Sequence, residues 1–310
     1  MLEWEARVEK TVSLLLPLDL PLPDANLVIR SSDRVNFRVH KSVLAVASPF
    51  FGALRLDRPS DSESIEGLPV VQLPEGAELL NSLVSMLYPV RPVIPSSYEK
   101  VLYLLAACQK YDMVQVQSAI RAEVNHGTFP GPEKNEAFRA YAIASDKGLI
   151  PEMENAARLT LDHPMTFGEI GEELRLFKGS ALRDLVRFRR ACRNNFASCC
   201  RSFLEVDAPG PSSIWVGCPS ATRPESNKAD LPKWLRRVFP CHMPSPFTHP
   251  LPEPSSVCAR YLTAIQAHDC TFCLGVYAKK GSSFGAQLER RLKQARDKVR
   301  VPPSFAFRNI

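Results

Sequence analysis

At 310 residues the chain exceeds the usual size of one domain, so two or three domains are expected. Its 45% hydrophobic and 23% charged residues match an ordinary folded protein and exclude a chain that is disordered throughout or embedded in a membrane. The net charge of +6 accumulates after residue 180, in "RDLVRFRRACRNNFASCCR" and "ERRLKQARDKVR", and fits two solvated helix faces better than a surface for nucleic acid or acidic lipid.

The longest apolar stretch near the start, "SLLLPLDLPLP", is interrupted by proline and aspartate well short of a bilayer crossing, and no basic segment precedes it as a signal peptide requires. Nine cysteines, an odd number without framework spacing and all beyond residue 100, suit reduced thiols. Both features predict an intracellular protein of the cytoplasm, the nucleus or both.

Residues 1–16 read as an amphipathic helix with Trp4, Val8, Val12 and Leu15 at helical spacing, ended by Pro17, Pro21 and Pro23 within an N-terminal segment of residues 1–20. "NLVI" at 26–29 is a short buried strand. "RSSDR" turns the chain into the alternation of Val35, Phe37 and Val39 against Asn36, Arg38 and His40, which predicts a hairpin. Beyond His40 the period changes to that of a helix, with Val43, Leu44, Ala47 and Phe51 on one face. Pro49 cannot continue that helix but can open a second one with Ser48 as its N-cap, so two short helices meet at Ser48. Phe50 and Leu54 then stand one turn apart.

"DRPSDSESIEG" at 57–67 reads as an acidic loop and "PVVQL" at 69–73 as a strand. Leu79, Leu80, Leu83, Val84 and Leu87 mark a helix stopped by Pro89. "SYEKVLYLLAACQKY" and "DMVQVQSAIRAEV" are two more, the latter with Met113, Val116, Ile120 and Val124 inward. Strands followed by helices predict an α+β domain ending near residue 127.

After it, "EKNEAFRAYAIASDKGL" with its glycine stop, "PEMENAARLTL" with proline in its first turn and the long basic "SALRDLVRFRRACRNNFASCCRSFLEV" predict an all-α extension over 128–206. Its apolar positions Leu182, Val186, Cys192, Phe196 and Phe203 suit a core rather than a membrane face. Adjacent Cys199 and Cys200 cannot both face inward. Prolines crowd residues 207–257, which read as a linker, and 258–310 hold further helical sequence.

"DANLVIRSSD", "FRVHKSVLAVASPFF", "LPVVQLPE", "MLYP" and "ACQKYDM" occur in this order, and residues 21–127 that carry them resemble a BTB/POZ domain of the type expanded in mushroom-forming fungi. The resemblance implies a small mixed sheet flanked by helices, followed here by a BACK-like helical extension, and a protein that associates with other chains, most often with its own copy. It implies a dimer face carrying Trp4, Val8 and Val12 with Val43, Leu44 and Phe51. It also implies a partner pocket at Lys41, where Asn26 occupies the position of an acidic residue and Asp24 lies two residues earlier. A cullin scaffold would dock around Phe50, Leu54, Leu56 and Asp57. Relatives usually show a methionine and another phenylalanine after the double phenylalanine, whereas this chain has "GALRLD"; Gly52 alone weakens that helix by about 0.5–1 kcal/mol.

Cys270 and Cys273 form a CxxC pair, a spacing that can grip zinc if two further ligands arrive. Cys258, His268, Cys218 and Cys241 with His242 are the available partners. None stands at a standard paired spacing, so no metal is expected and buried or idle thiols are the simpler account. With no glycine-rich phosphate loop and no HExxH, no catalysis, cofactor or small-molecule substrate is expected. The leading expectation is therefore a homodimeric interaction protein, a scaffold or cullin ubiquitin-ligase adaptor. The alternative is a nuclear regulator whose basic helix at 181–201 contacts nucleic acid.

Overall fold

The computed structural model describes residues 24–53, 64–166, 171, 173–204, 249–268 and 270–300. The helix expected over 1–16 with Trp4, Val8, Val12 and Leu15, the positions Leu54, Leu56 and Asp57, the side chain of Phe203 and residues 207–248 of the proline-rich segment lie outside them. The chain divides into two compact units. One runs to Glu133 and includes Lys147–Leu149; the other comprises Lys134–Asp146 and the residues from Ile150 onward.

In the first unit, β1 (Leu27–Arg30) and β2 (Asn36–Val39) form the expected antiparallel hairpin, with Leu27 opposite Val39 and Ile29 opposite Phe37. Phe37 and Val39 are buried and Arg38 between them is exposed, the period of a strand with one covered face. A second hairpin joins β3 (Ser64–Ile65) to β4 (Leu68–Gln72). Its two turn residues, Glu66 (φ 51°) and Gly67 (φ 79°), both adopt the left-handed backbone that a tight two-residue turn needs. The segment expected to be loop up to residue 67 thus ends in a strand. β4 lies parallel to β1, giving the order β2-β1-β4-β3. β1 and β4 both have partners on two edges, but in β1 Leu27, Val28 and Ile29 are all buried, because both faces of the sheet are covered there.

Helices α1 (Lys41–Ala47) and α2 (Pro49–Ala53) meet at Ser48 as the proline predicts. The Ser48 amide closes α1 by donating to the Leu44 carbonyl at 2.9 Å, and its Oγ accepts the Phe51 amide at 3.2 Å as the cap of α2. α3 (Ala77–Ser85) starts earlier than its leucines suggest, since Asp33 Oδ1 accepts the Ala77 amide at 2.8 Å. A hydrogen bond from Ser31, with help from that amide, holds the Asp33 carboxyl below the usual carboxylate range. α4 (Tyr98–Lys110), capped by Ser97, carries buried Val101, Leu102, Leu104, Leu105 and Cys108 through the core. α5 (Val114–Asn125) buries Val116 and Ile120, with Met113 buried just ahead of it and Val124 half-buried.

The second unit is helical among its described residues. α6 (Ala137–Lys147) is followed by Gly148 at φ 69°, the glycine stop, and α7 (Ile150–Leu159) carries Pro151 in its first turn. α8 (Gly179–Leu204) buries Ala181, Leu185, Phe188, Cys192, Phe196 and Cys200 in one stripe, while Leu182, Val186 and Cys199 are half-buried beside it. α9 (Pro254–Ala267) begins inside the segment expected to be linker; just before it, Leu251 is buried and its amide donates to the Leu161 carbonyl at 2.7 Å. α10 (Thr271–Val276) and α11 (Ser282–Asp297) complete the unit, with Leu288 and Leu292 of α11 buried.

The basic helix corrects an expectation. Arg189 and Arg193 are 1% and 4% exposed, inside the unit rather than on a solvated face. Arg189 donates to the carbonyls of Thr160 and His163, the latter at 2.7 Å, and its guanidinium stands 5.7 Å from the centre of the Phe138 ring. Arg193 donates to the His249 carbonyl. Arg183 and Arg187 remain exposed, and both flank Asp184.

Candidate interaction surface and thiol cluster

The sequence motifs of the first unit converge in space. Ser48 Oγ, while capping α2, donates to the Tyr111 carbonyl at 2.5 Å, and the Phe51 ring lies 5.1 Å from the Tyr111 ring, so "ASPFF" is fastened to "ACQKYDM". The latter segment bends at Asp112, whose left-handed φ of 54° lets the Met113 amide return to the Cys108 carbonyl at 2.8 Å. Tyr111 in turn donates to Glu75, which also pairs with Lys110 at 2.8 Å. Burial, then the Glu75 hydrogen bond and charge, raise the Tyr111 phenol. "MLYP" reaches "VHK" through Tyr88, whose hydroxyl accepts the His40 amide at 2.9 Å.

Residues 21–127, which carry the hairpin, the two helices hinged at Ser-Pro, the parallel strand and the helical pair, match the family model of the BTB/POZ domain. This segment is a BTB/POZ domain. It covers about a third of the chain and is followed by a helical region. No curated protein matches the chain.

Within the BTB/POZ domain, Leu44 and Phe51 are each 2% exposed and Val43 is half-buried. Leu44 and Phe51 therefore belong to the core of their own chain, which corrects their assignment to a dimer face. What the hinged helices offer to solvent is Val46, 90% exposed, and Phe50, 44% exposed. Val46 was legible on a helical wheel, since it stands about 200° round from Leu44 and is an apolar residue on the outward side. Phe50 keeps one side of its ring on Phe51 and Tyr111, at 5.2 and 5.3 Å, and presents the other.

At the start of α1, Asn26 Oδ1 accepts the Lys41 amide at 2.8 Å. Asn26 and Lys41 are thus neighbours through the Lys41 backbone, with Asn26 serving as a neutral helix cap. His40, the formal cap residue, makes no side-chain cap bond, so this acceptor comes from the strand side of the hairpin.

The second unit assembles a different group. His268 closes α9 and Cys270 opens α10, with Cys273 in the first turn of α10. The ligating atoms of these three side chains all lie within 4.8 Å of one another; Cys273 is buried, and His268 and Cys270 are half-buried. The CxxC was visible in the sequence. His268 was one of several partners the sequence offered, and nothing in the spacing singled it out, because its approach depends on the break between the two helices. Cys258 lies apart from this trio: its thiol contacts the Gly285 carbonyl at 3.6 Å, and burial pushes it up to about 11.

Residues 281–285 spell Gly-Ser-Ser-Phe-Gly, the spacing of a nucleophile elbow. They run from a π-helical turn (Tyr277–Gly281) into α11, whereas an elbow needs a strand entering a helix. Among the described residues no helix is long and apolar enough to cross a membrane.

Proposed function

We propose that this BTB/POZ protein, an interaction module by fold, is a homodimeric scaffold of the type expanded in mushroom-forming fungi. It works in the cytoplasm or nucleus as an adaptor that presents partners to a cullin ubiquitin ligase. The observation that supports self-association most is Val46, an apolar side chain 90% exposed on a helix that forms part of the dimer surface in BTB/POZ domains. By the family resemblance, Trp4, Val8 and Val12 of the N-terminal segment are assigned to the same self-association. Phe50, half-presented beside it with Leu54, Leu56 and Asp57 following, marks the cullin side, and Lys41 with Asn26 marks a second partner position. The burial of Arg189 and Arg193 favours this protein-binding reading over nucleic-acid contact through residues 181–201, because it withdraws two cations from the surface.

Size-exclusion chromatography of the full chain mixed with a cullin N-terminal domain tests the adaptor role. Co-elution that Phe50→Asp abolishes is the expected result. Separate elution of the two proteins removes the adaptor role and leaves a scaffold with other partners.

A further inference from the structure

We propose that His268, Cys270 and Cys273 form a zinc site that fastens the end of α9 to the start of α10. The site lies outside the BTB/POZ domain and does not depend on how that domain associates.

Three observations converge on it. Cys270 is the extended N-cap residue of α10 and Cys273 sits in the first turn of that helix, so the CxxC pair straddles the helix start. The chain break after α9 brings His268 round to them, and all three ligating atoms lie within 4.8 Å of one another. Tetrahedral zinc, with bonds of about 2.3 Å to sulfur and 2.0–2.1 Å to nitrogen, sets such atoms roughly 3.5–3.8 Å apart. Side-chain rotation of about 1 Å supplies that contraction without moving the helices.

The donor set selects the metal. Two thiolates and an imidazole are too soft for magnesium or calcium and suit zinc. Burial is graded across the group: Cys273 faces the interior, and the half-exposed His268 and Cys270 leave a solvent side for metal entry and for water as fourth ligand. A structural role follows from position. Residues 268–270 separate α9, which buries Val257, Tyr261 and Ile265, from α10, and a metal bridging the junction fixes the angle at which these elements pack.

The test titrates the reduced, chelator-stripped full chain with cobalt(II) and then with zinc. The proposal predicts a single cobalt per chain, with the visible bands of a tetrahedral ion and a thiolate-to-metal charge-transfer band in the near ultraviolet, all lost when zinc is added. Cys270→Ser and His268→Ala, both at half-buried positions, each weaken binding at least about tenfold while far-ultraviolet circular dichroism is kept. Absence of the charge-transfer band at stoichiometric cobalt in the native chain overturns the proposal without reference to any variant. So does a band retained at full strength in both variants, which assigns the metal to other thiols.

Discussion

Phe51→Ala lowers the stability of the BTB/POZ domain by about 3–5 kcal/mol, whereas Phe50→Ala in the adjacent position lowers it by roughly 1 kcal/mol. The two phenylalanines differ in burial, not chemistry. Phe51 is 2% exposed and packs on Tyr111 at the point where Ser48 also binds the Tyr111 carbonyl, so truncation opens a cavity beneath the α1–α2 hinge. Phe50 shares the same ring neighbours but loses only half as much contact, because its other side faces solvent. Since a domain's whole stability is typically about 5–15 kcal/mol, the first substitution removes a large share of it. Urea denaturation followed by circular dichroism checks this: an earlier midpoint for the first transition in Phe51→Ala, with Phe50→Ala close to native, is expected. Equal shifts would mean that the hinge does not anchor the domain.

Arg189→Ala destabilises the helical unit by about 2–4 kcal/mol. The truncation leaves the Thr160 and His163 carbonyls without the donor they have now and removes the cation facing Phe138. Arg189→Met keeps most of the volume and removes a buried charge, so it costs less than alanine although it takes the same donor away from both carbonyls. Burial, and then the charge of Arg193, pull the Arg189 guanidinium down to about 10. A base with a lowered folded value is disfavoured in its charged form by folding, so stability rises with pH only above about 10, between the folded and unfolded values. Around neutrality the charge is present and its burial penalty constant, and the carbonyl bonds must outweigh it. Thermal melts of both variants, read against the native chain, should rank native, methionine, alanine in falling order; an alanine variant as stable as native would contradict a structural role for this arginine.

Much of the fold was legible because its punctuation is local. The change of period after His40 and the Ser48-Pro49 step specify a hairpin and two hinged helices before any long-range contact is known. Short elements escaped this logic. Ser64–Ile65 is too brief to show an alternation, and its hairpin is signalled only by Glu66-Gly67, a turn pair standing at the end of an acidic stretch. Arg189 and Arg193 were misleading for another reason: composition places arginine outside, whereas position places both on the stripe of Leu185, Phe188, Cys192 and Phe196. In that conflict the helical period was the better guide, and backbone carbonyls supplied the partners that made burial tolerable. Within the hinged helices the sequence reading placed the wrong residues outside. Leu44 and Phe51 complete the core, and Val46 is what they leave outside.

We propose above all that the chain pairs with itself through the face that carries Val46. Light scattering on the full chain over a wide concentration range measures this directly. A mass twice that of one chain, dropping to a single chain in Val46→Asp with helix content unchanged, is the result predicted here; a single-chain mass at every concentration would contradict it.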